Sequence, residues 1–281
     1  MTKQRKLIYA LVYHVVVIGI GFAVIYPVLW MVMGSFKNNS QIINDASRLL
    51  PESFNLNNYI TGWKGFGRIT FTTFFRNSIF ISVCSTFGVM ISSALVAYSF
   101  ARIRFKMRKI LFACMISTMM LPGQVVMIPQ YIIFQKLGFV NTYVPLILPA
   151  YFGSAFFIFM MMQFIAGIPK ELDDAATIDG CSRYSIFTRI MLPLITPALI
   201  TTVIISFYQS WDNFMGPLIY LSRPEKYPVA LAIKMFADSS SVTDYGAMFA
   251  MSTLSLVPVF LIFLFFNRHI MEGISTQGLK M

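Results

Sequence analysis

Apolar residues in this chain are gathered into six long blocks separated by polar stretches, and each block has about the 20 residues a helix needs to cross a hydrocarbon core. Backbone N–H and C=O groups in lipid must be bonded internally, so such blocks fold as helices. The spans are expected at about 8–34, 77–101, 109–133, 143–166, 191–221 and 247–267, in a single all-α integral membrane domain covering 1–281. Composition agrees, because only 12% of the residues are charged and 57% are hydrophobic, whereas charged residues make up about 25% of a soluble domain. Basic residues precede the first block as in a signal peptide. The run from Leu7 to Met33 is too long for a cleavable h-region and lacks a small-residue cleavage site, so it is read as a retained span.

Six spans put both termini on one side, and the Lys and Arg distribution selects the side. Thirteen of the 22 basic residues fall before the first span, between the second and third, between the fourth and fifth, and after the sixth. Both termini are therefore expected in the cytoplasm. The net charge of +11 follows from this topology, and nucleic acid is not an expected partner. Membrane lipid is. Cys84, Cys114 and Cys181 are read as packing residues, and His14 and His269 stand alone, so no disulfide framework or metal site suggests itself.

The connection between the fourth and fifth spans, expected over 167–190, is more organised than a turn. Pro169 suits the start of a helix, and Glu171, Asp173 and Asp174 fill a first turn, where acidic side chains complement the dipole. Gly180 suits a left-handed residue that ends such a helix. A second short helix from Ser182 would put Tyr184 and Phe187 on one face, and Pro193 marks the entry to the fifth span. Pro122 and Pro129 in the third span imply a kink, either a static aid to packing or a hinge.

Asp174-Ala175-Ala176, then Gly180, Ile190 and Leu192-Pro193 at their spacing, resemble the EAA signature of permease subunits in binding-protein-dependent ABC importers, with Asp in place of Glu at the first position. The resemblance narrows to the carbohydrate branch typified by the maltose permease. It runs through Phe75-Arg76-Asn77-Ser78, Ala97 to Arg102, Leu121-Pro122-Gly123-Gln124-Val125, Leu137 to Thr142, and Trp211-Asp212-Asn213-Phe214, where Asp212 departs from the usual Asn. It implies a type I importer permease fold in a prokaryotic inner membrane. It also implies that Glu171, Asp174, Ala175, Ala176, Gly180, Ile190, Leu192 and Pro193 belong to a coupling segment that docks on an ATPase. The implied partners are a second, different permease subunit, two cytoplasmic ATPase subunits and an extracytoplasmic sugar-binding protein. No cofactor is expected on this chain, with ATP and Mg held by the ATPase. The outer segment 222–246, with Arg223, Asp238 and Ser240, is by resemblance a loop that contacts the binding protein. Its plainer reading is a solvated connection. The other outer segment is 35–76.

Gln209, Asp212 and Asn213 stand at i, i+3 and i+4 of the expected fifth span and would share one face. An ionised Asp facing lipid at mid-depth costs roughly 2.5 to 3.5 kcal/mol, so that face is a candidate translocation path or gate. The alternative is a polar residue at headgroup level beside Trp211 as an interface anchor. Gly is nowhere followed by Lys, so no GK[ST] phosphate loop exists and nucleotide hydrolysis must reside in a partner. An ion-gradient-driven transporter is the other class of reading. Asp212 as the one carboxylate inside a span is a poor basis for a proton relay.

Overall fold

The structure, a computed structural model, describes residues 3–236 and 244–278, with side chains described over 9–236 and 244–266. The described residues are helical apart from turns and an isolated bridge between Phe66 and Ile69. In chain order the helices are α1 (Lys3–Gly34), α2 (Asn39–Asn44), α3 (Asn57–Lys64), α4 (Phe71–Arg102), α5 (Arg108–Met119), α6 (Gly123–Lys136), α7 (Val144–Ile147) and α8 (Ala155–Ala166). There follow α9 (Glu171–Ile178), α10 (Arg183–Ile186), α11 (Leu192–Leu194), α12 (Thr196–Trp211), α13 (Met215–Tyr220), α14 (Val229–Met235) and α15 (Tyr245–Gly278). Asp238 and Ser240 lie outside the described residues.

Four helical stretches are long and apolar enough to cross a membrane by themselves: Tyr9–Gly34, Phe71–Arg102, Val144–Ala166 and Tyr245–Phe266. The third span, where a kink was expected, and the fifth, where none was, are both bent. α5 and α6 meet at 103° and the pair Arg183–Leu194 and Thr196–Trp211 at 74°, so six spans are reached only if each bent pair is one span. The sharp break in the third span falls just before Pro122, which caps α6, whereas Pro129 sits inside the helix. In the fifth, Pro197 near the start of α12 removes the N–H that the Pro193 carbonyl would receive. The Thr196 hydroxyl replaces it, donating to Pro193 O at 2.8 Å.

Contacts within the chain fall into two compact units: residues up to Phe71 with Ile233–Val257, and Thr72–Ala232 with the residues from Pro258 on. In the first unit close approach is set by glycine. A Cβ at Gly62 would lie 2.9 Å from the Met251 side chain, and one at Gly246 would lie 2.6 Å from Asn58 Oδ1. Asn58 in turn donates to the carbonyls of Ser35 and Lys37, at 2.8 Å each.

The second unit is built on α4. Its Ala94, Ala97, Tyr98 and Phe100 pack with Ile158, Met161 and Ile165 of α8, with Phe187 and Met191, and with Ile195 and Ala198. Small residues on α4 let neighbouring backbones come close, the usual route to helix association where lipid is as apolar as the side chains. The fourth span, expected as one helix over 143–166, is broken after α7 into a 3-10 turn (Leu148–Phe152) and restarts at α8 after Gly153, whose φ is +86°. Irregular backbone at membrane depth needs its polar groups repaired by protein. Serines of α4 do this: Ser92 Oγ donates to Ala150 O at 3.0 Å, Ser85 Oγ to Leu146 O at 3.3 Å, and Ser93 Oγ accepts from Ser154 N at 3.4 Å.

Candidate coupling site

The segment between α8 and α12 is a chain of defined caps. α9 carries Glu171, Asp173 and Asp174 in its first turn, and it ends in a left-handed Gly180 with φ +81°. Gly180 N bonds to Thr177 O at 3.1 Å and Cys181 N to Ala176 O at 2.9 Å, the paired closure of a Schellman motif. Ser182 then caps α10, its Oγ accepting from Ser185 N at 3.2 Å. From Phe187 to Met191 the chain widens to a π-helix. The cause is local: Pro193 has no N–H for the carbonyl four residues back, and the ladder slips in the turn before it.

Phe187 and Met191 are buried in the core shared with α4 and α8, and the rings of Phe187 and Tyr98 lie 5.1 Å apart. The second half of the segment is thus held by packing against three membrane helices. The first half is held by charge. Arg102, the last residue of α4, donates from Nη2 to Ile165 O (3.1 Å) and Ile168 O (2.6 Å) at the end of α8. Its Nε lies 3.0 Å from Asp173 Oδ2, with the two side chains 5% and 18% exposed. One buried guanidinium therefore ties α4, α8 and α9, and each contact complements a helix dipole: a cation at the ends of α4 and α8, an anion at the start of α9. The Nε approach is an ion contact without hydrogen-bond geometry, and Asp173 Oδ1 has no hydrogen-bond partner. Burial pushes the Asp173 carboxyl above its ordinary pKa; Arg102 pulls it back and the neighbouring Asp174 adds to the rise.

The residues singled out by sequence separate on this scaffold. Glu171, Asp174, Ala175, Gly180 and Pro193 are exposed, and Ile190 and Leu192 are half-buried. Ala176 is buried, 6% exposed, so its side chain packs within its own chain. The face expected to carry Tyr184 and Phe187 together is split: Tyr184 is 74% exposed and Phe187 6%. Sequence reasoning missed two features. One is the Arg102–Asp173 tie. The other is an exposed apolar stripe on α9, Leu172, Ala175 and Ile178, with Ile178 86% exposed. Its i, i+3, i+6 spacing was the available signal.

The gate candidates also change. α12 ends at Trp211 with Asp212 as its C-cap, whose N–H still bonds Tyr208 O at 2.9 Å, so Gln209 and Asp212 stay one turn apart, while Asn213 N shifts to Ser210 O at 3.4 Å as the helix ends. All three are exposed. Asn213 Oδ1 instead accepts from Gly216 N at 3.0 Å, capping α13. Trp211 is no interface anchor: it is buried, stacked on Phe207 at 5.7 Å and tilted against Phe75 at 6.0 Å. At the outer end, Asn77 Nδ2 donates to Glu225 O (2.8 Å) and Tyr227 O (3.0 Å), and Ser78 Oγ accepts from Val229 N (2.7 Å). Asn141, left-handed at φ +59°, accepts from Ser222 N (3.2 Å) and from the backbone N–H of the exposed Arg223 (3.3 Å). The outer segment is therefore held from Ser222 to Val229 and is not a loose connection there.

The chain is a helical membrane protein whose connection before α12 presents exposed apolar side chains. The chain belongs to the family described as binding-protein-dependent transport system inner membrane component, whose model matches residues 88–275. It is a multi-pass inner-membrane permease component. It is 33% identical to the arabinooligosaccharides transport system permease protein AraQ of Halalkalibacterium halodurans, over 93% of each chain. It is 30% identical to the trehalose/maltose transport system permease protein MalG of Thermococcus litoralis, over 91% of each. Its fold matches a chain of a bacterial ABC transporter that imports the acidic polysaccharide alginate, with a TM-score of 0.82, 20% identity, and coverage of 95% of this chain and 98% of that one.

Proposed function

We propose that this chain is one of two different permease subunits in an ATP-driven importer of a disaccharide or oligosaccharide, and that α9 with its flanking turns docks on a cytoplasmic ATPase. The relatives named for arabinooligosaccharides and for trehalose and maltose support the sugar class. The observation that carries the docking reading is the apolar exposure of Leu172, Ile178 and Tyr184 on a polar connection beside the exposed Asp174, Ala175 and Gly180. Large apolar side chains outside the bilayer are a mark of a surface that another protein covers. ATP and Mg act on that partner, and an extracytoplasmic binding protein delivers sugar to the outer segment that includes Arg223, Asp238 and Ser240. Gln209 and Asp212, exposed on this chain, line the path or its gate against the second permease subunit.

Ile178→Asp tests the docking face. The side chain is nearly free in this chain, so the variant should insert and fold as the wild type. Co-purification of the ATPase subunit should fall at least tenfold, by about 1.4 kcal/mol or more, and ATP-driven uptake should fall with it. Unchanged co-purification and uptake would remove α9 from the interface.

A further inference from the structure

Positive charge on the retained side of a membrane protein explains how many cations a loop carries. It does not explain why they surround an apolar groove. The start of α5 and the end of α8 enclose a groove of about 760 Å³ whose walls include Phe105, Ile110, Phe112 and Met162 and whose rim is Arg104, Arg108 and Lys109. All three rim residues are exposed, and none of their side chains makes a hydrogen bond or ion pair with a described residue. Arg108 and Lys109 stand in the first turn of α5, which has no acidic residue. Cations are disfavoured at that end of a helix dipole, so an anion placed there is favoured twice. The contrast with α9 is direct, because its first turn holds three acids.

We infer that this groove binds an anionic phospholipid, with an acyl chain along Phe105, Ile110, Phe112 and Met162 and the phosphate between Arg104, Arg108 and Lys109. The groove lies where the third span begins and the fourth ends, which on the six-span topology is the boundary of acyl chains and headgroups, and its size is that of small-molecule sites, about 300 to 1,000 Å³. Basic pockets between membrane helices at such a boundary suit anionic headgroups. A second cleft, of about 510 Å³, shares Arg108 and Met162 and continues to Ile168, Lys170 and Glu171 at the foot of α9. The bound lipid therefore abuts the coupling segment. The site does not depend on which solute is carried.

The test uses the assembled transporter in nanodiscs of phosphatidylcholine and phosphatidylglycerol in equal amounts, with a photoreactive side chain at Met162. Each Lys or Arg beside an anionic surface is worth about fivefold in binding. Wild-type crosslinks should therefore favour phosphatidylglycerol by tenfold or more, and R104Q/R108Q/K109Q should reduce the preference to parity. Equal capture of both lipids by the wild type would show ordinary boundary lipid and overturn the site. Capture of another protein chain would assign the cations to an interface and also overturn it. A preference abolished by inorganic phosphate at constant ionic strength would assign them to a free anion, with the same consequence. The wild-type arm decides without the triple variant, and Arg108→Gln alone should lower the preference by about fivefold.

Discussion

The two ends of α4 solve the same problem with different chemistry. At Asn77 a neutral amide hooks two backbone carbonyls of the outer segment, at 2.8 and 3.0 Å, and Ser78 and Asn141 complete a network without an ion pair. At Arg102 a guanidinium hooks two carbonyls of α8 and faces a carboxylate of α9. The outer end has no carboxylate in its network, and its one charged member, Lys226, donates to the Asn141 carbonyl. The coupling end holds a buried charge pair with one carboxylate oxygen unpartnered, next to apolar residues that face outward. A network of amide and ammonium donors on backbone carbonyls has little to gain from rearranging. A buried ion pair near balance has a small net worth but a large cost of being broken from one side. That suits a joint between a docking helix and the membrane helices.

The largest effect should come from breaking the charged end. Arg102→Ala leaves Asp173 buried without a counter-charge and frees the Ile165 and Ile168 carbonyls, at a cost of about 3 to 5 kcal/mol. Thermal unfolding of the purified transporter should drop by many degrees, and transported sugar per ATP hydrolysed should collapse in the molecules that remain assembled. Arg102→Lys keeps the charge but loses the planar fork, so it should recover only part of the coupling. Wild-type coupling in Arg102→Ala would reduce the tie to ordinary packing.

At the outer end the loss should be smaller and of another kind. Asn77→Ala strips two hydrogen bonds from part-buried carbonyls, about 1 to 3 kcal/mol, while Ser78 keeps its bond to Val229. Uptake should fall with ATPase co-purification unchanged, because the damage is confined to the outer segment. A loss of ATPase binding would merge the two ends into one unit and spoil the contrast.

How much of this could be read before the structure follows from the range of each interaction. Helical spans, the caps around Gly180 and the first turn of α9 depend on neighbours in sequence, and local spacing exposes them. Pro122 and Pro129 were visible as a kink and Pro193 as the entry to a span, but a proline does not say how far the chain turns, so bends of 103° and 74° were not legible. Arg102 and Asp173 appeared only as a topology charge and a dipole complement, because their pairing depends on α4 and α8 ending at the same depth. Ala176 and Ala175 are adjacent and chemically identical, and only the helix phase sends one inward. The expected face of Gln209, Asp212 and Asn213 stops at Asp212, because Asn213 turns out of the helix and accepts from Gly216 N at the start of α13.

The smallest effect tests the sign of the balance at the charged end. Burial raises the Asp173 pKa more than Arg102 lowers it, and Asp174 adds to the rise. A carboxyl with a folded pKa above its unfolded value, about 3.9 for Asp, binds its proton more tightly in the fold. Its contribution to stability is then full below the unfolded pKa and is lost as pH rises through the folded one. Asp173→Asn removes that titration while Arg102 keeps its two carbonyl acceptors. The unfolding midpoint of the wild type, measured relative to Asp173→Asn in the assembled transporter, should therefore be most favourable at low pH and decline as pH rises above the unfolded pKa of about 3.9. The expected change is a few degrees at most, because the carboxylate is partly open to solvent. A difference that grows as pH rises would mean that Arg102 outweighs burial and that the coupling end is held by a net favourable ion pair, as firmly fixed as the outer end.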